Sequence, residues 1–473
     1  MIPEFAILGH PNEGKSSVLS TLAEDDSVRI SPTPGETTAC RAFPVKIDGK
    51  EILRFTDTPG FQNPSKMLSI LKAYKNDRDN DILQRFHNEY NSDSSMHHDC
   101  ELLRPLLRGA GIIYVADGSR PVRNVDLAEM EILRLSGKPR MAVLNCKEGS
   151  QTHLDSWKNE FRKNFNSSRI FNAHSATYIE RIRLLEALKS IEQDWQAPLD
   201  YVVTTFQKDW QARNLRTTNI INDMVTACIQ LQLKKNLRHD QEPESEKERL
   251  YQKYTKTIRD IETKNHQQIR KIYKHNIFNL ELPPQSILQE DLFAEETWNF
   301  LGLQKKQLAL AGGAGGAALA AGLDIAAGGA SLGFFTSLGG IIGALGAVYG
   351  SKSMSSKINI MGIGPGNLQL QIGPNENPQF PFILIDRALI FYSSSINWAH
   401  GRRDYDTISC LPAKGGYSRL LEGQSVKVLG KYFRLLQNRD SQAEEYQQIF
   451  TDIISELLHN ISTSGTDENN NQN

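Results

Sequence analysis

Short apolar runs alternate with longer stretches of mixed polarity over the first 195 residues of the chain. FAILG, EILRFTD, AGIIYVAD and RMAVLN are strand-length runs, most of them ending at a polar or glycine-rich loop. Strands that feed helical crossovers read this way, so the pattern predicts an α/β domain over 1–195 with a mostly parallel sheet between helices. From about 204 the texture changes. Proline is rare, Lys, Arg, Glu and Gln abound, and apolar residues recur three or four apart at Tyr254, Ile258, Ile261, Ile269 and Ile272. This predicts a long helical region over 204–303 with a solvated basic face. A Gly/Ala-rich apolar hairpin is expected over 304–352. Strand-like runs with turn punctuation follow, KINIMGIGPG, NLQLQIGPNENPQF and PFILID, and then a helical stretch. Together they predict a small α+β domain over 356–460, followed by a polar tail over 461–473 with the composition of a disordered segment.

Composition narrows the function classes. Fifty-four Lys and Arg against fifty-five Asp and Glu give 473 residues a net charge of −1, which excludes a dominantly basic nucleic-acid binder. Five scattered cysteines without a CxxC pair argue against a disulfide framework or zinc knuckle and suit a reducing cytosol. The first residues, MIPEFAILGHPNEGKSS, carry no basic leader or cleavage site. The expected location is cytoplasmic, with association at the inner face of the cell membrane as an extension of that reading.

The chemistry begins at Gly9-His-Pro-Asn-Glu-Gly14-Lys15-Ser16, which follows a strand and opens a helical stretch. That spacing is a phosphate-binding loop. Main-chain N–H groups of Asn12, Glu13, Gly14, Ser16 and Ser17 would curl around phosphate oxygens, Lys15 would reach the β- and γ-phosphates, and Ser16 would hold Mg²⁺. Thr37 follows in TPGETT, placed to close over the γ-phosphate and ligate Mg²⁺, with Thr38 as its rival. Asp57-Thr-Pro-Gly60 ends the strand EILRFT; Asp57 would hold Mg²⁺ through water and the Gly60 N–H would sense the γ-phosphate. The base-recognition pattern frays. A guanine site usually presents NKxD, and here Asn145-Cys146-Lys147-Glu148 stands after MAVL. Asn145 fits, Glu148 can still accept from guanine one methylene further out, and Lys147 is displaced by one. Ser175-Ala176 is placed like the loop that backs the base. Guanine remains the expected ligand, with relaxed specificity left open.

The set GxPNxGKSS, TPGxT, DTPG and IIYVADGSRP resembles the TrmE–Era–EngA–septin-like class of translation-factor-related GTPases over 1–195. The resemblance implies GTP and Mg²⁺ as ligands, slow hydrolysis, and pairing of G domains into homodimers. It also implies a K⁺ site at Asn12, which stands where potassium-dependent members place an asparagine. Phe61 stands where Ras-like proteins keep a catalytic glutamine, and Gln62 is one residue late. Two departures are the frayed base motif and a helical insertion over 66–105, which reads either as a solvated decoration or as a source of a carboxylate or a partner contact beside the switch. The C-terminal half, through FPFILIDRALIFY and WAHGRRDYD, resembles an uncharacterised domain of a bacterial family of unknown function. Asp386, Arg387, His400, Arg402 and Arg403 form a cluster there that reads as an internal ion-pair network, or as a basic contact for lipid headgroups or for the G domain's own switches.

Residues 308–350 hold one charge, Asp324, between arms of 16 and 26 residues. A membrane span needs about 20 apolar residues, so only the second arm is long enough. Gly312/Gly316, Gly329/Gly333, Gly339/Gly343 and Gly346/Gly350 are four apart, which suits close helix packing. Lys305, Lys306, Lys352 and Lys357 flank the run. Membrane association is the expectation, and a buried glycine hairpin the alternative. The function expected is a GTP-binding, GTP-hydrolysing regulatory switch governing a membrane-associating half. The alternatives are an assembly factor for ribosome or tRNA, disfavoured by the absence of a basic RNA-binding domain, and a nucleotide-binding scaffold with little hydrolysis.

Overall fold

A computed structural model of the chain describes residues 2–23, 39–74, 81–146, 152–171, 178–237, 243–273, 287–288, 290–311, 358–362, 368–396 and 415–463. Two compact units emerge, one built mainly from residues 1–210 and the other mainly from 211–396 and 406–473.

In the first unit the order is β1 (Glu4–Leu8), α1 (Lys15–Ala23), β2 (Arg41–Ile47), β3 (Lys50–Asp57), α2 (Pro64–Tyr74), α3 (Ile82–Tyr90), α4 (His97–Leu107), β4 (Gly111–Asp117), α5 (Asn124–Leu135), β5 (Arg140–Asn145), α6 (Leu154–Asn164), β6 (Ser167–Phe171) and α7 (Tyr178–Lys189). The six strands lie in the order β2-β3-β1-β4-β5-β6. All pair in parallel except the β2–β3 hairpin. The central strands β1 and β4 are buried on both faces, which is why FAIL and GIIYVA read as unbroken apolar runs. Strand β2, RAFPVKI, alternates exposed and buried residues. It sits at the sheet edge, where Pro44 removes no ladder donor the sheet requires.

One apolar core lies on each face of the sheet. The first gathers Val18, Leu19 and Leu22 of α1 with Leu184, Leu185 and Leu188 of α7. The second gathers Met67, Leu71, Leu83, Phe86, Met96, Cys100 and Leu103 with Leu8, Tyr114 and Leu144. Helices α2, α3 and α4 carry the 66–105 insertion, so this segment is part of the core and not a solvated decoration. Asp81 caps α3 by accepting from the Gln84 N–H at 3.0 Å.

A 34-residue helix, α8 (Gln196–Ile229), runs from the first unit into the second. The second unit continues with β7 (Leu233–Leu237), α9 (Pro243–Ile272), α10 (Glu295–Phe300), α11 (Lys305–Ala311), β8 (Ile358–Gly362), β9 (Leu368–Ile372), α12 (Phe380–Ile396), α13 (Gly423–Gln437) and α14 (Ala443–Thr463). Its antiparallel sheet has the order β7-β9-β8. This departs from two readings of the sequence. LKKNL is a strand inside the stretch read as helical, and by pairing with β9 it joins 204–303 and 356–460 into one unit. PFILID, read as a strand, opens helix α12, which is buried all round. An apolar run of that length has no periodicity to separate a buried strand from a buried helix.

Asp386 and Arg387 lie in α12 and are internal. Arg387 pairs with Glu262 and donates to the carbonyls of Ile287 (3.1 Å), Glu290 (3.1 Å) and Leu288 (3.3 Å). Asp386 accepts from the Gly302 N–H at 2.6 Å and from the Ser418 N–H and hydroxyl at 2.6 and 2.8 Å. His400, Arg402, Arg403, Asp324 and the apolar run from 312 to 350 lie outside the described residues. Among the described residues no helix is long and apolar enough to cross a membrane.

Candidate functional site

The loop between β1 and α1 takes backbone conformations that its sequence anticipates. Gly9, Asn12 and Gly14 have φ of 143°, 67° and 93°. Gly9 and Gly14 are glycines for a second reason as well. A Cβ on Gly9 would meet the Val115 carbonyl oxygen at 2.2 Å, and one on Gly14 would meet Asn145 Nδ2 at 2.2 Å. The asparagine that ends β5 thus rests on the loop and donates from Nδ2 to the Glu13 carbonyl at 3.2 Å. Asn145, predicted to recognise the base, also braces the phosphate loop.

Lys15 opens α1, with Ser16 and Ser17 half-buried in its first turn. Its ammonium donates to the carbonyls of Gly9 (3.2 Å) and His10 (3.0 Å). Burial pulls the Lys15 pKa below its ordinary value, and the charges of Asp57, Glu129 and Glu13 oppose that shift. Asp57 ends β3 and is nearly buried. Next to it the Thr58 hydroxyl donates to the Ile7 carbonyl at 2.8 Å, tying this loop to β1. Gly60 lies so close to the phosphate loop that a Cβ would meet Pro11 at 2.7 Å. Phe61 is fully buried in the second core, so no side chain from that position reaches the loop. Gln62 folds back, with Nε2 donating to the Gly60 carbonyl at 3.4 Å.

The Glu13 carboxylate accepts from the Asp117 N–H and pairs with the Arg120 guanidinium. Glu13 therefore offers a nucleotide only its main chain. Arg120 also binds Asp126 Oδ2 at 2.6 Å and Oδ1 at 2.9 Å, and it lies 5.3 Å over the Trp157 ring. Trp157 in turn donates from Nε1 to the Arg120 carbonyl at 2.8 Å. A second brace is His10, whose Nδ1 is 2.9 Å from Glu129 Oε1, while the Tyr114 hydroxyl donates to Glu129 Oε2 at 2.9 Å. Burial pushes the Glu129 carboxyl upward, and the His10 contact opposes it. None of Arg120, Asp126, Trp157, Glu129 or Tyr114 was marked by sequence reasoning. The signal that could have found them is the glutamate between Asn12 and Gly14, a charge that a packed loop must neutralise. Thr37 and Thr38, Lys147 and Glu148, and Ser175-Ala176 lie outside the described residues.

Lys15 at the head of α1, Asp57-Thr-Pro-Gly60 at the end of β3 and Asn145 at the end of β5 converge at the carboxyl edge of a mostly parallel sheet. Ligands bind there in open α/β folds, and the arrangement defines a P-loop GTPase domain. The 50S ribosome-binding GTPase family matches residues 4–146. The chain belongs to the family defined by the domain of unknown function DUF3482, which matches residues 158–458. The chain is 39% identical over 72 residues to GTPase Der of Agathobacter rectalis, covering 15% of this chain and 16% of that protein. It is 26% identical over 195 residues to GTPase Der of Bifidobacterium longum, covering 40% and 37%. The chain thus spans well under half the length of these curated relatives. A crystal structure of Era with MgGDPNP and nucleotides 1506–1542 of 16S ribosomal RNA is similar at 19% identity and a TM-score of 0.30, covering 40% of this chain and 57% of that one. A GMPPNP-bound NFeoB mutant of S. thermophilus is similar at 18% identity and a TM-score of 0.26, covering 40% and 62%.

Proposed function

We propose that the chain is a GTP-hydrolysing regulatory switch whose nucleotide state governs its C-terminal half. The observation that carries this reading is the close approach of Gly60 to Pro11, which sets the DTPG main chain against the phosphate loop that Lys15 commands. On this reading Lys15 neutralises the β- and γ-phosphates, and main-chain N–H groups from Asn12 to Ser17 donate to their oxygens. Gly60 reports whether the γ-phosphate is present. Ser16, Thr37 and Asp57 would hold Mg²⁺, which would supply positive charge to offset that of the phosphates. Asn12, exposed and in a left-handed conformation within the phosphate loop, suits K⁺. Water attacks the γ-phosphorus in line and GDP leaves. With Phe61 buried, no side chain at that position orients the water, so intrinsic turnover is slow and K⁺ stimulates it. Asn145, Glu148, Ser175 and Ala176 favour guanine. The apolar run 308–350 gives the C-terminal half its membrane contact at the inner face, and G domains pair as homodimers. Binding and hydrolysis of GTP against ATP, in K⁺ and in Na⁺, with and without phospholipid vesicles, test each part.

A second reading, ribosome assembly, is favoured by the match to the 50S ribosome-binding GTPase family. Fractionation separates the two: co-sedimentation with ribosomal particles supports the second reading, and pelleting with membranes the first.

A further inference from the structure

Helix α4 belongs to the insertion, yet its acidic side chains are spent on the main chain of the two loops that bear on the γ-phosphate. Asp99 is fully buried. It accepts from the Gln62 N–H at 3.0 Å through Oδ1 and from the Asn63 N–H at 3.2 Å through Oδ2. These two amides follow Gly60 and Phe61 directly. The Asn63 side chain adds a bond to the Ser95 carbonyl at 2.9 Å, just before α4. Two residues along the helix, Glu101 accepts from the Cys40 N–H at 3.1 Å, and the Cys40 thiol donates to the Glu101 carbonyl at 3.2 Å. Cys40 leads from the Thr37 segment into β2. Arg104 holds Glu101 in place at 2.9 Å. Phe61 packs into the same apolar cluster as Met96 and Cys100, on either side of the α4 N-terminus.

A carboxylate that accepts two successive main-chain N–H groups fixes the path of the backbone, because charge-assisted bonds are short and directional. Here the path fixed is the one that keeps Gly60 against Pro11. We propose that Asp99 is a positioning residue for γ-phosphate recognition: from the insertion it holds Gly60 in place through the main chain that follows it, while Glu101 holds Cys40 at the entry to β2. It acts through the Gln62 and Asn63 amides and never touches the nucleotide. The inference rests on the GTPase reading above and deepens it. It separates two ligands that a merely structural role would affect alike. GDP is held by the loop around Lys15, whereas GTP also needs Gly60.

The test uses the full chain with Mg²⁺. Affinities for fluorescent GDP and for a non-hydrolysable GTP analogue are measured alongside single-turnover GTP hydrolysis, for wild type, Asp99→Ala and Asp99→Asn. Asp99→Ala is expected to keep GDP affinity within about twofold and to lose about tenfold or more in analogue affinity and hydrolysis rate. Asp99→Asn, whose amide oxygen still accepts the Gln62 N–H, should recover most of that loss. Should Asp99→Ala not fold, hydrogen exchange on the wild type decides, since the Gln62 and Asn63 amides should be better protected with the analogue than with GDP. Equal protection in the two states, or an Asp99→Ala protein with wild-type analogue-to-GDP preference and rate, overturns the positioning role alone. A wild type that binds no guanine nucleotide overturns the GTPase reading, and this role with it.

Discussion

Replacing Glu13 by alanine removes one partner of a nearly buried ion pair in the middle of the phosphate loop. The Glu13 side chain is 5% exposed and that of Arg120 21%. Removing one partner of a fully buried pair costs about 3–5 kcal/mol, because the other charge is left uncompensated. Arg120 keeps Asp126 at 2.6 Å and is partly wet, so its own loss is muted. The Asp117 N–H loses its acceptor as well. The balance is about 2–3 kcal/mol of stability in the first unit. Urea unfolding reads it directly, with Trp157 fluorescence as the local signal because that ring lies under Arg120. A double-mutant cycle with Arg120→Ala should return a coupling of about 1–3 kcal/mol. Nucleotide affinity should fall with stability, since the carboxylate holds the loop whose amides face the phosphates. A Glu13→Ala protein within about 0.5 kcal/mol of wild type, the scatter of ordinary surface changes, would refute the reasoning.

Further expectations concern other parts of the chain. Burial pushes the Asp386 carboxyl up to about 6, with the N–H groups of Ser418 and Gly302 opposing. Its folded value lies above its unfolded one, so its contribution to stability is full below pH 3.8 and is lost as pH rises through about 6. Relative to Asp386→Asn, the wild type should therefore lose about 2 kcal/mol between pH 4 and pH 7 in denaturant titrations; a constant difference across that range would contradict it. Turnover should be faster in K⁺ than in Na⁺ at matched ionic strength, and Asn12→Ala should erase the difference. Equal wild-type rates in both salts would remove the K⁺ site and leave the rest of the account standing.

The first domain was legible because its pattern and its chemistry agree. Central parallel strands buried on both faces leave unbroken apolar runs, and the phosphate loop needs glycines where φ is positive, as at Gly9 and Gly14. The edge strands β2 and β6 were not legible: RAFPVKI contains a proline and SSRIF is largely exposed. The second unit hid its topology because β7 is LKKNL, a strand defined by its partner β9 and not by its own hydrophobicity. Within the site, the residues proposed to touch phosphate follow fixed spacings. The residues that brace them, Arg120, Glu129 and Asp99, come from distant elements whose approach no local pattern encodes.

Nucleotide binding by calorimetry, wild type against Lys15→Ala and GTP against ATP, tests the central claim most directly. The account predicts Mg²⁺-dependent binding of GTP in preference to ATP by the wild type and none detectable by Lys15→Ala, whose ammonium is the loop's charge partner for phosphate. Lys15→Ala binding GTP as the wild type does, or a folded wild type binding neither nucleotide, would contradict it.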